Sequence, residues 1–180
     1  MCALEIKLYP APVLRAKSAE VSEVTEDLRR LFDEMAQAMY DAAGIGLAAP
    51  QVGIEKRVVV INVGGDEKTG TQPRLYKIAN PKILSASGEI EIEEGCLSIP
   101  DIRAGVVRYS DVEISYLDEH SKPSNLRASG LLAVCIQHEI DHLDGVLFVD
   151  RLRGAKRDMV LTKLKNLQKQ AKKQGLPVSV

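Results

Sequence analysis

The first strong pattern along the chain is a helical one. Between Thr25 and Asp41, Leu28, Leu31, Phe32, Met35, Met39 and Tyr40 recur at the three- and four-residue spacing that lines one helical face. Thr25 can cap the start, and Gly44 lies just past the end. The middle of the chain reads differently. Segments 57–63, 75–84, 89–93, 105–109, 112–117 and 125–128 are short, β-branched or alternating, and separated by turn residues, which predicts mostly antiparallel strands. After Gly130 the run Leu131, Leu132, Val134, Cys135, Ile136 to Leu143 is apolar nearly all round, so it predicts a buried helix that ends near Gly145. A last helix, about 155–173, repeats Met159, Val160, Leu164 and Leu167 among many lysines as a surface helix does, and Gly175 and Pro177 stop it. Strands grouped in the middle, one buried helix and outer helices at both ends predict an α+β fold, with mostly antiparallel sheets packed around that helix.

A length of 180 residues without an internal repeat or long linker fits a single domain spanning 1–180. A composition of 45% hydrophobic and 27% charged residues excludes wholesale disorder and collagen-like structure. No apolar stretch approaches the roughly 18 residues of a membrane span, and Met1–Leu8 does not read as a secretory signal. A cytosolic protein without membrane contact is therefore expected. Three cysteines, Cys2, Cys96 and Cys135, make a disulfide framework improbable and turn attention to thiolate chemistry. The net charge of -1 hides an asymmetry, because residues 151–180 hold nine Lys or Arg and one Asp, whereas residues 1–150 hold 15 bases and 24 acids. That disfavours a uniformly basic nucleic-acid binder but leaves a basic tail able to meet phosphate-rich surfaces.

The buried helix contains Gln137-His138-Glu139-Ile140-Asp141-His142, which fits His-Glu-x-x-His. Histidines at i and i+4 share a helical face with β-carbons about 5–6 Å apart, so both imidazoles can reach one metal ion. Glu139 projects about 100° around the helix from His138, where it can serve as a general base without being a ligand. The pattern alone also fits a structural histidine pair. Burying two imidazoles and two acids in an apolar helix is costly without a partner such as a metal. A third ligand is then needed. Asp144, Asp150 and Asp158 sit in no supporting motif, whereas Glu94-Gly95-Cys96-Leu97-Ser98-Ile99-Pro100 places a cysteine in a turn after a strand. Cys96 is the candidate, although a single cysteine is often only a small buried hydrophobe, as Cys135 reads. The segment Gly44-Ile45-Gly46-Leu47-Ala48-Ala49-Pro50-Gln51 is not a phosphate loop and, taken alone, reads as a helix stop and a turn.

Taken together and in this order, Gly44–Gln51, Glu94–Ser98 and Gln137–His142 resemble the three motifs of the peptide deformylase family, and the likeness extends over about residues 5–170. The helical C-terminus looks like that of the common bacterial type. The resemblance implies removal of the formyl group from the formyl-methionine of new polypeptides, with release of formate. It implies one divalent metal held by Cys96, His138 and His142, Fe(II) in cells, while ligand type also admits zinc, nickel or cobalt. It assigns proton transfer to Glu139 and oxyanion stabilisation to the Gln51 amide and the Leu97 N–H. It pairs substrate backbone with Ile45 and Gly46 as an added strand, and it draws the methionine pocket from Leu132, Cys135 and Ile136, which are equally good core residues. The family's role also implies contact of the basic C-terminal helix with ribosomal RNA near the peptide exit; a solvated helix face is the plain alternative. Two rival functions stand beside this one. A metallopeptidase cleaving ordinary peptide bonds shares the histidine helix but explains neither Cys96 nor Gln51, and a non-enzymatic binding module needs none of the set.

Overall fold

The computed structural model describes residues 4–65 and 73–175; Cys2 and Pro177 lie outside them. Helix α1 spans Glu26–Asp41 and α2 spans Gly130–Leu143, while α3 spans Gly154–Lys173. The strands are β1 (Gly46–Ala48), β2 (Val58–Ile61), β3 (Tyr76–Ser87), β4 (Ile90–Cys96), β5 (Ile99–Arg108), β6 (Asp111–Leu117) and β7 (Pro123–Ser129). They form a five-stranded sheet in the order β1-β2-β3-β6-β7 and a separate β4-β5 hairpin, with every strand pairing antiparallel. The fold is α+β, as the segment pattern predicts.

Strand β2 explains how the sheet is held. Its four residues are all apolar and all buried, because successive side chains point to opposite faces and both faces are covered. Val58 and Val60 pack with Leu28, Phe32, Met35 and Met39 of α1. Val59 and Ile61 pack with Ile136, Ile140 and Leu143 of α2. The sheet is thus a shared wall between two cores, and α2 is fixed from behind. A third core joins Ile99, Ile102 and Val106 of β5 to Phe148, Leu152, Val160 and Leu164, which ties the hairpin to α3. No helix among the described residues is long and apolar enough to cross a membrane.

The caps follow local chemistry. The Thr25 hydroxyl accepts the Leu28 N–H at 3.3 Å, as expected of an N-cap. The far end of α1 differs from expectation: Ala43, not Gly44, takes the left-handed conformation (φ 53°), and Gly44 N–H returns to the Met39 carbonyl at 2.9 Å. Tyr40 is 46% exposed, because its hydroxyl accepts a hydrogen bond from the Asn62 amide at 2.9 Å on the surface. Met159 likewise points outward from α3, where Val160 and Leu164 carry the packing. Strands β3, β4 and β7 run a few residues past the expected segments, and two strands differ more. Strand β5 starts at Ile99 and not near Gly105, and Gly46–Ala48 forms strand β1 instead of a turn. Both are made by pairing: β1 lies against β2 with Leu47 opposite Val60, and β5 lies along β4 from Cys96 onward.

Candidate metal centre and active-site cleft

Helix α2 presents two stripes. Leu132, Ile136, Ile140 and Leu143 face the sheet, while Leu131, Val134, Cys135 and His138 line a cleft of about 480 Å³ on the other side. Residues three, four and seven apart share a stripe, so the cleft face could have been counted back from His138. Of the pocket residues expected from the sequence, Cys135 lines the cleft, while Leu132 and Ile136 belong to the core and do not. Leu131 and Val134 stand in their place. Opposite this face run Ile45 and Gly46, which lead into β1, and residues 92–97 and 99–103 of the hairpin.

At the floor of the cleft, Cys96 meets the two histidines. The last residue of β4 sits at a register shift between Gly95 and Cys96, and its Sγ lies 3.2 Å from His142 Nε2. Ligand-type atoms of Cys96, His138 and His142 all fall within 4.8 Å of one another. The His138 and His142 rings meet edge to face at 4.9 Å, and Phe148 stacks beside His138. Both histidines are buried. Three ligands around a tetrahedral ion with bonds of about 2.0–2.3 Å sit roughly 3.3–3.6 Å apart, so a sulfur and two ring nitrogens within 4.8 Å of one another need only small shifts to share one ion.

The electrostatics of the pair are opposite. Burial would lower the His138 pKa, but contacts with Cys96 and Glu94 and the charge of Glu139 outweigh it and lift the group to about 10. Burial pushes His142 well down, and the neighbouring His138 charge adds to that. Glu139 is pushed up to about 7, chiefly by burial, with His138 opposing. Its Oε2 is buried and has no hydrogen-bond partner among the described residues. A buried carboxylate oxygen left without a donor is costly unless it has a proton or a polar guest to meet. Burial also raises the Cys135 thiol, with Glu139 as the second cause.

Close backbone approach brings Glu139 to the cleft. A β-carbon at position 46 would lie 2.3 Å from Glu139 Oε1 and 2.8 Å from Cys135 Sγ, so only glycine lets β1 pass this close. Gln51, in the 3₁₀ turn Ala49–Val52, is 1% exposed. Its Oε1 accepts the Ala48 N–H at 2.8 Å, and its Nε2 donates to Ser98 Oγ at 3.2 Å and lies 3.5 Å from Cys96 Sγ. The amide therefore ends beside the candidate ligand. Leu97 follows Cys96 in the turn between β4 and β5, and Leu97 also lines the cleft.

Sequence reasoning missed what stands behind the histidine. Glu94 Oε2 accepts from His138 Nδ1 at 2.8 Å, and Arg108 holds Glu94 with two bonds of 2.7 and 3.0 Å. Arg108 also reaches Asp141 at 2.6 Å. Burial raises the Glu94 pKa, but hydrogen bonds from His138 and Arg108 prevail and hold it at about 2. Glu94 and Asp141 lie inside the quoted motifs; Arg108 carries no local signal.

Three segments far apart in the chain thus converge on one buried sulfur–imidazole cluster beside an unpartnered carboxylate. Comparison with known proteins points to one group. Residues 3–158 match the family described as polypeptide deformylase. A peptide deformylase of Alkalilimnicola ehrlichii is 46% identical over 172 residues, which cover 96% of this chain and 94% of that protein. The crystal structure of a peptide deformylase from Legionella pneumophila superposes with a TM-score of 0.81 at 41% identity, covering 94% of this chain and 97% of that one. A plant peptide deformylase superposes with a TM-score of 0.88 at 38% identity, covering 99% and 96%. With a family match over residues 3–158 and a relative 46% identical over 96% of its length, this chain belongs to the polypeptide deformylase family.

Proposed function

We propose that this chain is a peptide deformylase, a hydrolase that removes the formyl group from the N-terminal formyl-methionine of nascent polypeptides and releases formate. We read residues 1–180 as one catalytic domain acting in the cytosol, where such substrates are made. The observation that carries the reading is the unpartnered, buried Glu139 carboxylate beside the Cys96, His138 and His142 cluster.

In this reading Cys96, His138 and His142 hold one divalent ion, with iron(II) the first choice and zinc, nickel or cobalt able to replace it. The donor set fits: one soft thiolate and two imidazoles, buried and mutually close. When bound, the ion supplies Lewis acidity that makes hydroxide available from water near neutral pH. The chain's own residues do the rest. Glu139, with its raised pKa of about 7, suits a group that takes a proton from water and returns it to the departing nitrogen. The Gln51 amide, pinned through its oxygen to Ala48, keeps its nitrogen aimed beside Cys96. In this reading that nitrogen and the Leu97 N–H donate to the oxyanion of the tetrahedral intermediate.

Ile45 and Gly46 offer the substrate backbone an edge, because β1 pairs only with β2 among the described residues. Cys135, together with Leu131 and Val134, supplies apolar wall on α2 for the methionine side chain. Leu132 and Ile136 have no part in that wall. The basic α3 helix is our candidate for contact with ribosomal RNA.

Formate release from formyl-Met-peptides tests the function. Stoichiometric formate without internal peptide cleavage is expected; cleavage of unformylated peptides instead would restore the metallopeptidase reading. Salt-insensitive ribosome binding, or binding that survives loss of α3, would reject the contact through the helix.

A further inference from the structure

The ionic chain behind His138 does not end at Glu94. Glu94, Arg108 and Asp141 are each no more than 6% exposed, and together they form an unbroken series of charge-assisted bonds. His138 Nδ1 meets Glu94, both Glu94 oxygens meet Arg108, and Arg108 meets Asp141 Oδ2. Arg151 completes the series from the short turn Phe148–Arg151, donating to Asp141 Oδ2 at 3.1 Å and Oδ1 at 2.5 Å. Arg151 is half exposed and stands just before α3. None of these groups beyond Glu94 lines the catalytic cleft.

Asp141 is only one residue before His142, yet its carboxylate turns away from the cluster. Two arginines saturate it. Arg108 spends its planar fork on two carboxylates at once, which fixes the rotamer of Glu94 more tightly than a single flexible cation could. A fixed Glu94 fixes the ring of His138, because the Nδ1–H bond leaves Nε2 as the atom facing Cys96 and the cleft.

We infer that Arg108 and Asp141 are positioning residues for the metal centre, acting through Glu94 on the orientation of His138, with Arg151 as an outer brace. The inference rests on the metal-site reading above and extends it to residues in the wall behind the site. A lost partner of this kind lowers metal affinity by about 10- to 100-fold in comparable sites, and the effect should weaken outward. Asp141 sits two links from Glu94, through Arg108, and Arg151 can be lost while Arg108 still holds Asp141.

The test is zinc affinity by chelator competition on the full chain, with the visible spectrum of the cobalt(II)-loaded protein as a second readout of ligand orientation. Asp141→Asn should weaken zinc binding at least 10-fold and shift the cobalt spectrum, and Arg151→Gln should weaken it less than 5-fold. Arg108→Lys should recover part of what Arg108→Gln loses. In a Glu94→Gln background, Asp141→Asn should add little, because the effect passes through Glu94. A purely structural role would lower the melting temperature of the metal-free protein while leaving zinc affinity and the cobalt spectrum of the folded fraction at wild-type values, and that result would overturn the inference. Should Arg108→Gln fail to fold, the isosteric Asp141→Asn decides alone. Failure of the metal-free wild-type protein to take up one equivalent of either zinc or iron(II) would instead overturn the metal-site reading itself, so the two failures are distinct.

Discussion

Helix α2 carries four histidine or acidic side chains and α3 carries eight charged ones, and the two helices treat them in opposite ways. In α2, His138, Glu139, Asp141 and His142 are all buried; the partners of His138, Asp141 and His142 come from β4, β5 and the turn before α3, while Glu139 Oε2 has none among the described residues. In α3, Lys163, Lys165, Lys169, Lys172 and Lys173 are all exposed, and Lys156 reaches Glu91 only across the surface at 3.3 Å. Burial moves the proton affinities of these α2 groups, and for His138 and Asp141 specific charged neighbours fix the geometry. Exposure leaves the α3 charges screened within about 8–10 Å in salt, so they act as a field and not as a site. Chemistry is concentrated where charge is hardest to bury.

Substitutions can sharpen that contrast. Cys96→Ala should have the largest effect, abolishing stoichiometric metal and lowering formate release by roughly 10³-fold or more, since a missing ligand forfeits several kcal/mol of electrophilic assistance. Metal analysis alongside the assay reads both losses; retention of the ion would break the proposed ligand set. Glu139→Gln should lower kcat by about 10²–10⁴-fold, the span of general acid–base catalysis, while metal content stays at the wild-type level. Full activity in that variant would move the proton to another group.

Gly46→Ala comes next. The added methyl collides with Glu139 Oε1 and Cys135 Sγ, and a displacement of about 1 Å near the reacting groups can cost on the order of 10²-fold in kcat/KM. A variant with unchanged kinetics would show that β1 yields freely. The smallest effect is expected in α3, where changing Lys163, Lys165 and Lys169 together to Gln should move stability by no more than about 0.5 kcal/mol per site and leave turnover of short formyl peptides unchanged. A loss of that turnover would erase the distinction between the two helices.

Legibility in the sequence follows the same division. The two histidines could be read because i, i+4 spacing is local, and α1 and α2 could be read because apolar periodicity is local. The pairing that creates β1 was not legible: Gly46, Leu47 and Ala48 have little strand preference of their own, and β2 alone draws them into the sheet. The start of β5 was hidden for the same reason. Arg108 was invisible because its partners stand 14 and 33 residues away, and nothing around it distinguishes a buried arginine from a surface one. The assignment of Leu132 and Ile136 to the pocket failed because a helix apolar all round does not declare which face meets solvent. Only its registration against His138 divides the cleft stripe from the core stripe.

The missing side chain at position 46 has a consequence for how this molecule could change over generations. The edge that would receive a peptide and the carboxylate that would move its proton share one small volume, so neither can be remodelled alone. A wider groove, suited to bulkier chains, would demand that strand and acid retreat together. Mutational paths toward new substrates should therefore begin along the α2 wall at Leu131, which is exposed, and leave the glycine untouched.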